Sequence, residues 1–260
     1  MAQPVAYALV TGASSGLGKY FARALAARRH NLVLVARTGA RLEARAQELR
    51  AAHAIEVEPL VCDLSTPGAV QQLTEQLRAR GGEIDLLVNN AGFGLRGEFW
   101  TLPLERQLAM INLHNAAVVE LTYALLPPML AARRGALINV SSLAGFQPIP
   151  WAALYSATKA FLTTFSMALR EELRPTGVRV VTVSPGRLRA DPEAEADGPP
   201  RQKVPGREQA HEEVVAATLA KLDGGGGLVI PGRMNRLTVR AQRLLPPNAV
   251  PKIVARMSKP

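Results

Sequence analysis

The segment Ala6-Tyr7-Ala8-Leu9-Val10-Thr11-Gly12-Ala13-Ser14-Ser15-Gly16-Leu17-Gly18 passes without a break from an apolar, strand-like run into a glycine pattern, and a helical stretch from Lys19 to Arg28 follows. Strand, glycine loop and helix in that order make a phosphate cradle. The glycines permit a tight turn and let a pyrophosphate approach backbone N–H groups at the positive end of a helix. Glycines alone are weak evidence; directly after a first strand they carry more. Gly12, Ser14, Ser15, Gly16, Leu17 and Gly18 are the candidate contacts, and their spacing, Gly-x-x-x-Gly-x-Gly, differs from the commoner Gly-x-Gly-x-x-Gly.

Outward from this segment the chain alternates. Apolar runs rich in Val, Leu and Ile recur at 6–11, 31–36, 55–61, 84–89, 136–141, 178–184 and 228–230. Between most of them lie stretches of helical period, such as Leu42, Ala46, Leu49 and Val70, Leu73, Leu77. Strands that read as continuous apolar runs are buried on both faces, so the pattern predicts an α/β protein. Its expected form is a doubly wound Rossmann fold, a seven-stranded parallel sheet with helices on both faces and ligands at the C-terminal strand ends.

Length and composition fit one such domain over 1–232, followed by a basic tail over 233–260. Hydrophobic residues make up 48% of the 260, enough for a sizeable core. Stretches expected to be loose are 103–104, 191–206 and the tail. Cys62 is the only cysteine, which fits a reducing compartment and excludes a cysteine metal cluster. His30, His53, His114 and His211 lack ligand spacing, so no metal is expected, and they read as surface or loosely packed side chains. Met1 runs almost directly into the first strand, leaving no room for a signal peptide. No apolar run reaches the ~18 residues of a spanning helix. The expected localisation is cytoplasmic, with membrane association through the tail as an option.

Chemistry concentrates at Tyr155-Ser156-Ala157-Thr158-Lys159, where a phenol and an ammonium stand one helical turn apart, and at Ser142, which closes the run Ile138-Asn139-Val140-Ser141-Ser142. A neighbouring ammonium is expected to stabilise the phenolate and lower a tyrosine pKa from about 10 into a useful range. Such a group hands a proton to a developing alkoxide. The second strand ends Val35-Ala36-Arg37-Thr38, with a guanidinium where an acid would bind both ribose hydroxyls. Arg37 can pair with a 2′-phosphate, so NADP(H) is preferred over NAD(H). An ordinary surface arginine is the alternative.

Taken together, these motifs resemble the short-chain dehydrogenase/reductase family of Rossmann-fold oxidoreductases, from Ala6 to about Gly232. The ordered matches are Thr11–Gly18, Asp63 after the third strand, Asn89-Asn90-Ala91-Gly92, Asn112, Ser142, the Tyr155 and Lys159 pair, and Pro185-Gly186. The resemblance implies that Tyr155 is the general acid or base and that Lys159 binds the nicotinamide ribose and lowers the tyrosine pKa. Ser142 would bond the substrate oxygen, and Asn112 would hold a water extending a proton relay. Asp63 with Leu64 would meet the adenine, Asn89, Ala91 and Gly92 would shape the adenosine ribose site, and Pro185 and Gly186 would border the nicotinamide. Read singly, Asp63 is also a helix N-cap and Asn112 a helix-surface amide.

One departure stands out. The family commonly has Thr four residues after the glycine of the Pro-Gly pair, bonding the carboxamide, whereas this chain reads Gly186-Arg187-Leu188-Arg189-Ala190. An unusual substrate lid near 187–207 is expected. Phe93, Leu143, Phe146 and Trp151 are the expected apolar pocket wall, and Arg96 is a cation that could claim a carboxylate. The substrate is then a hydrophobic ketone, aldehyde or secondary alcohol, 3-oxoacyl or steroid-like, handled by a homodimer or homotetramer. A catalytically idle NADP(H)-binding regulator on the same fold is the rival reading, and a sugar-nucleotide epimerase is disfavoured by the glycine spacing.

Net charge is +10, but the segment from Gly232 to Pro260 holds seven basic residues and no acid, leaving +3 for the rest. Met234, Leu237, Ala241 and Leu244 recur at helical spacing beside Arg233, Arg236, Arg240 and Arg243. A helix packed back on the domain or on another subunit is the first reading, peripheral membrane contact the second. No nucleic acid partner is expected, for lack of a binding motif.

Overall fold

A computed structural model describes residues 5–195, 208–242, 244–246 and 248–258. Most of the expected lid, 196–207, lies outside the described residues. The seven strands are β1 (Ala6–Thr11), β2 (Asn31–Ala36), β3 (Val57–Val61), β4 (Glu83–Asn89), β5 (Gly135–Val140), β6 (Val178–Val183) and β7 (Gly227–Val229). They form one parallel sheet in the order β3-β2-β1-β4-β5-β6-β7. Each falls within two residues of its apolar run.

Alternation along the strands divides the core. Ala8, Val10, Leu32, Leu34, Val88, Ile138 and Val181 face one layer, packed on Phe21 and Leu25 of α1 (Gly16–Ala27), Leu42 and Leu49 of α2 (Gly39–Ala52), and Val214 and Leu219 of α8 (His211–Asp223). Leu9, Val33, Val35, Leu87, Leu137 and Val180 face the other, against α3 (Ala69–Arg80), α5 (Ala117–Ala131) and Leu173 of α6 (Ala153–Leu173). Residues that alternate in a strand point to opposite faces, so a sheet covered on both sides needs apolar residues at every position.

Between β1 and β4 the strand order reverses, and the connections leave the sheet in opposite directions. A crevice opens there at the C-terminal strand ends. The helix expected to carry Asn112 runs as α4 (Leu104–Ile111), a π-turn over Asn112–Ala116, and α5. In that wide turn the Ala117 N–H reaches back to the Asn112 carbonyl. A short helix, α7 (Pro192–Glu195), follows β6, and the tail forms α9 (Arg233–Gln242) and α10 (Ala249–Ser258). No described helix is long and apolar enough to cross a membrane.

Candidate active site

The crevice is a cleft of about 580 Å³. At one end, Thr11 ties the glycine loop to the end of β4. Its hydroxyl donates to the Val88 carbonyl (3.1 Å) and accepts from the N–H groups of Asn90 (2.9 Å) and Ala91 (3.0 Å), while the Asn90 amide donates to the Thr11 carbonyl (2.8 Å). Gly18 has to be glycine: a Cβ there would lie 2.1 Å from the Gly12 carbonyl oxygen. Ser15, the N-cap residue of α1, makes no side-chain cap, so the first N–H groups of the helix take no bond from it.

An anion already demonstrates what this helix end accepts. The Asp191 carboxylate takes the Gly16 N–H at 3.0 Å and the Lys19 ammonium at 2.9 Å. Burial pushes its pKa up, but the hydrogen bond and charge of Lys19, with the N–H groups of Glu193 and Gly16, outweigh this and hold it below the usual carboxylate range. Glu193 adds a second carboxylate, bonded to Lys19 (2.7 Å) and Arg45 (3.2 Å), and its carbonyl accepts from Arg41 (2.7 Å). The residues present therefore fit a pyrophosphate group.

Further along, the exposed Arg37 follows β2 on the cleft wall, with Thr38 beside it. Asp63 and Leu64 line the same region. Asp63 does not cap α3, which starts later at Ala69; it accepts instead from the N–H (3.0 Å) and hydroxyl (2.6 Å) of Ser65.

At the other end, Ser142, Tyr155 and Lys159 converge with Ala91, Gly92, Pro185 and Gly186. Two adjacent serines divide the work. Ser141 is buried and donates to the Lys159 carbonyl (2.8 Å), pinning α6, while Ser142 faces the cleft. The Lys159 ammonium is buried and donates to the Val140 carbonyl (3.0 Å), and burial lowers its pKa to about 8. The expected lowering of the Tyr155 pKa is not what the fold produces. Burial around the hydroxyl raises it, and a hydrogen bond from Ser142 works in the opposite direction without prevailing. The half-buried ring stands 5.9 Å from the Lys159 nitrogen, measured to its centre.

His114 is neither superficial nor loose. It is 1% exposed and lines the cleft. Its Nε2 accepts the Phe93 N–H (3.2 Å), so the proton belongs on Nδ1, which donates to the Thr158 hydroxyl (2.9 Å). That hydroxyl donates to the Tyr155 carbonyl (2.9 Å), and the imidazole meets the Tyr155 ring edge-on at 5.9 Å. Burial, then the Lys159 charge, hold its pKa well below the ordinary value. His211 is likewise buried, stacked on Tyr20 at 4.7 Å. A lone histidine carries no periodic signal that would have revealed either position.

Several expected residues stand apart from the cleft. Gly18 packs behind the loop. The Asn89 amide is buried and donates to Asn139 (2.8 Å), which donates to Ser166 (2.8 Å), so it braces strands against α6. Asn112 turns its amide to the Ser65 carbonyl (3.4 Å) and does not line the cleft, because the π-turn directs His114 inward instead. Of the expected substrate wall, only Phe93 lines the cleft. Leu143 and Phe146 belong to a 3-10 turn capped by Ser142 and line neither cavity. Trp151 adopts a left-handed φ of 63°, its carbonyl accepts the Gly97 N–H (2.8 Å), and it lines a separate apolar cavity of about 240 Å³ with Leu95, Phe99, Trp100 and Leu102. Ala190 and Asp191 line the cleft near α1.

Fold and cleft define a doubly wound α/β protein with Ser142, Tyr155 and Lys159 gathered at the C-terminal strand ends. The family model of short chain dehydrogenases matches residues 6–198, and the chain belongs to the short-chain dehydrogenase/reductase family of oxidoreductases acting on CH–OH or C=O groups. A very-long-chain 3-oxoacyl-CoA reductase of Phaeosphaeria nodorum is 33% identical over 232 residues, covering 85% of this chain and 64% of that relative. A solved 7β-hydroxysteroid dehydrogenase superposes with a TM-score of 0.85 at 26% identity, covering 97% of this chain and all of its own. A short-chain dehydrogenase from Sphingobium yanoikuyae, solved in complex with NADPH, reaches 0.79 at 34% identity, covering 93% and 95%.

Proposed function

We propose that the chain is an NADP(H)-dependent reductase of hydrophobic ketones or aldehydes. The observation that carries this is the convergence of Ser142, Tyr155 and Lys159 on one end of a cleft whose other wall presents Arg37. Arg37 has no acidic partner among the described residues, which suits a 2′-phosphate. The NADPH complex of the Sphingobium protein supports the same cofactor.

Tyr155, Lys159, Pro185 and Gly186 would hold a nicotinamide, which when bound would supply hydride to a carbonyl carbon. Ser142 and Tyr155 hold the carbonyl oxygen by hydrogen bonds that strengthen as it becomes an alkoxide. Tyr155 then releases its proton to that oxygen; burial raises its pKa and opposes this release, so positive charge at Lys159 is needed to stabilise the phenolate left behind. Lys159 would also hold the ribose of the bound cofactor. Ala190 lacks the hydroxyl that the family commonly places near the carboxamide, leaving backbone groups to hold it. Apolar Phe93 and the neighbouring aromatic cavity favour a lipophilic substrate, and the 3-oxoacyl-CoA and hydroxysteroid relatives support that class.

In this reading residues 1–232 form the catalytic unit and 233–260 an appended tail. Exposed Leu104, Leu108, Tyr123 and Phe161 on α4, α5 and α6 support assembly as a homodimer or homotetramer through these helices. Turnover of a panel of carbonyl compounds with NADPH and NADH side by side tests the proposal. Reduction of lipophilic ketones with NADPH is expected; absence of turnover with either cofactor across the panel overturns it in favour of a nucleotide-binding regulator.

A further inference from the structure

Helix α9 meets the rest of the chain along one edge. Val239 is buried, the Asn235 amide donates to the Pro231 carbonyl (2.8 Å) beside Gly186, and the Gln242 amide donates to Gln147 in the loop between Ser142 and Tyr155. These positions, i, i+4 and i+7, are a single helical edge. The apolar residues at Met234 and Leu237 are not on it. They are 72% and 54% exposed, and Leu244, which follows the helix on the same line, is 87% exposed.

At about 100° per residue, Met234, Leu237 and Ala241 form one outward stripe, and Arg233 and Arg240 border it. The Arg236 guanidinium lies further round and donates to the Ile230 carbonyl (3.1 Å). None of the three arginines has an acidic partner among the described residues, and 232–260 contains no acid. Apolar side chains held outward beside cations with no acidic partner among the described residues need a partner with a greasy interior and a negative surface.

We propose that α9 docks on an anionic phospholipid bilayer, setting the mouth of the active-site cleft against the membrane. Two copies of this face placed together would bring arginine against arginine with no counter-charge. A nucleic acid offers the charge but nothing to bury Met234 and Leu237. Anionic lipid supplies both, and helices of this composition lie at the headgroup boundary with the apolar stripe down. Because α9 touches Gln147 and its Asn235 stands beside Gly186, which lines the cleft, a lipophilic substrate would enter from the bilayer at the Gly186 end of the cleft. Docking does not depend on the reaction proposed above; a chain without turnover would still bind vesicles.

The test is sedimentation of the full chain with phosphatidylcholine vesicles and with equimolar phosphatidylcholine and phosphatidylglycerol. Binding to the mixed vesicles alone, weakened by salt, is expected. Arg233→Gln with Arg240→Gln should lower partitioning by about 25-fold, about fivefold per charge. Met234→Ser with Leu237→Ser should lower it at least about tenfold while leaving NADPH binding and hydrodynamic size unchanged. No binding to the mixed vesicles, equal binding to neutral ones without salt dependence, or a change of hydrodynamic size in the serine variant would each overturn the proposal, the last by showing a second copy on this face.

Discussion

The carboxylate of Asp191 lies 3.0 Å from the amide nitrogen of Gly16, so a side chain 175 residues away in sequence holds an anion position at the start of α1. With Lys19 as its second partner, it competes for the groups a pyrophosphate would use. Asp191→Asn removes the competing charge and frees Lys19. Titration of the variant is expected to show NADPH bound at least about fivefold more tightly, the value of one charge-assisted hydrogen bond. Weaker binding would show instead that the contact clasps the cofactor.

Tyr155→Phe keeps the ring and its edge contact with His114 but removes the transferable proton. Turnover should fall by about 100-fold to 10,000-fold, the usual contribution of general acid catalysis, with NADPH affinity nearly unchanged. Equal turnover would remove Tyr155 from the reaction.

Lys159 links stability to pH. Its folded pKa of about 8 lies below the ordinary lysine value of 10.5, so the unfolded chain binds the proton more tightly. Its contribution is full above pH 10.5, declines as pH falls through that window, and is lost below about 8. Between those limits the cofactor-free protein should gain about 3 kcal/mol relative to Lys159→Met, from about 1.4 kcal/mol per pKa unit. Parallel pH profiles in denaturant unfolding would contradict the burial described for this ammonium.

Gly92 and His114 are matched. A Cβ on Gly92 would fall 2.8 Å from the His114 Nε2, so Gly92→Ala displaces the imidazole that accepts the Phe93 N–H. Destabilisation by about 1 to 3 kcal/mol is expected. Thermal unfolding of Gly92→Ala, His114→Ser and the double variant should show coupling, since the smaller side chain leaves room for the methyl group. Additive losses would mean the clash is relieved elsewhere.

Arg37→Asp should weaken NADPH binding about tenfold or more, through loss of a charge-assisted contact and gain of repulsion, while NADH binding holds or improves. Fluorescence titration of both cofactors reads the ratio directly, and an unchanged ratio would place the phosphate elsewhere.

The inner strands were legible because they are buried on both faces and so are largely apolar, as in Leu32 to Ala36, while the edge strands β3 and β7, only partly buried, were read from the apolar runs at 55–61 and 228–230. The glycine loop, Ser142, Tyr155 and Lys159 were legible because a turn, a strand end and a helical spacing are local. The inward turn of His114 was not, since it follows from one wide turn at Asn112–Ala116 that leaves no periodic trace. Trp151 followed the same rule: composition marked it as pocket lining, but the left-handed backbone there assigns it to the side cavity.

Sequence by itself therefore determined the order of elements and the sheet, and marked Ser142, Tyr155 and Lys159 as candidates, because periodicity and short-range spacing are carried by neighbours in the chain. Only the tertiary structure decided the charge states and the partners: which way burial moved Tyr155 and Lys159, that Asp191 meets Gly16, and that Met234 and Leu237 face outward. Desolvation and long-range pairing depend on what surrounds a group in space, and no window of sequence contains its surroundings.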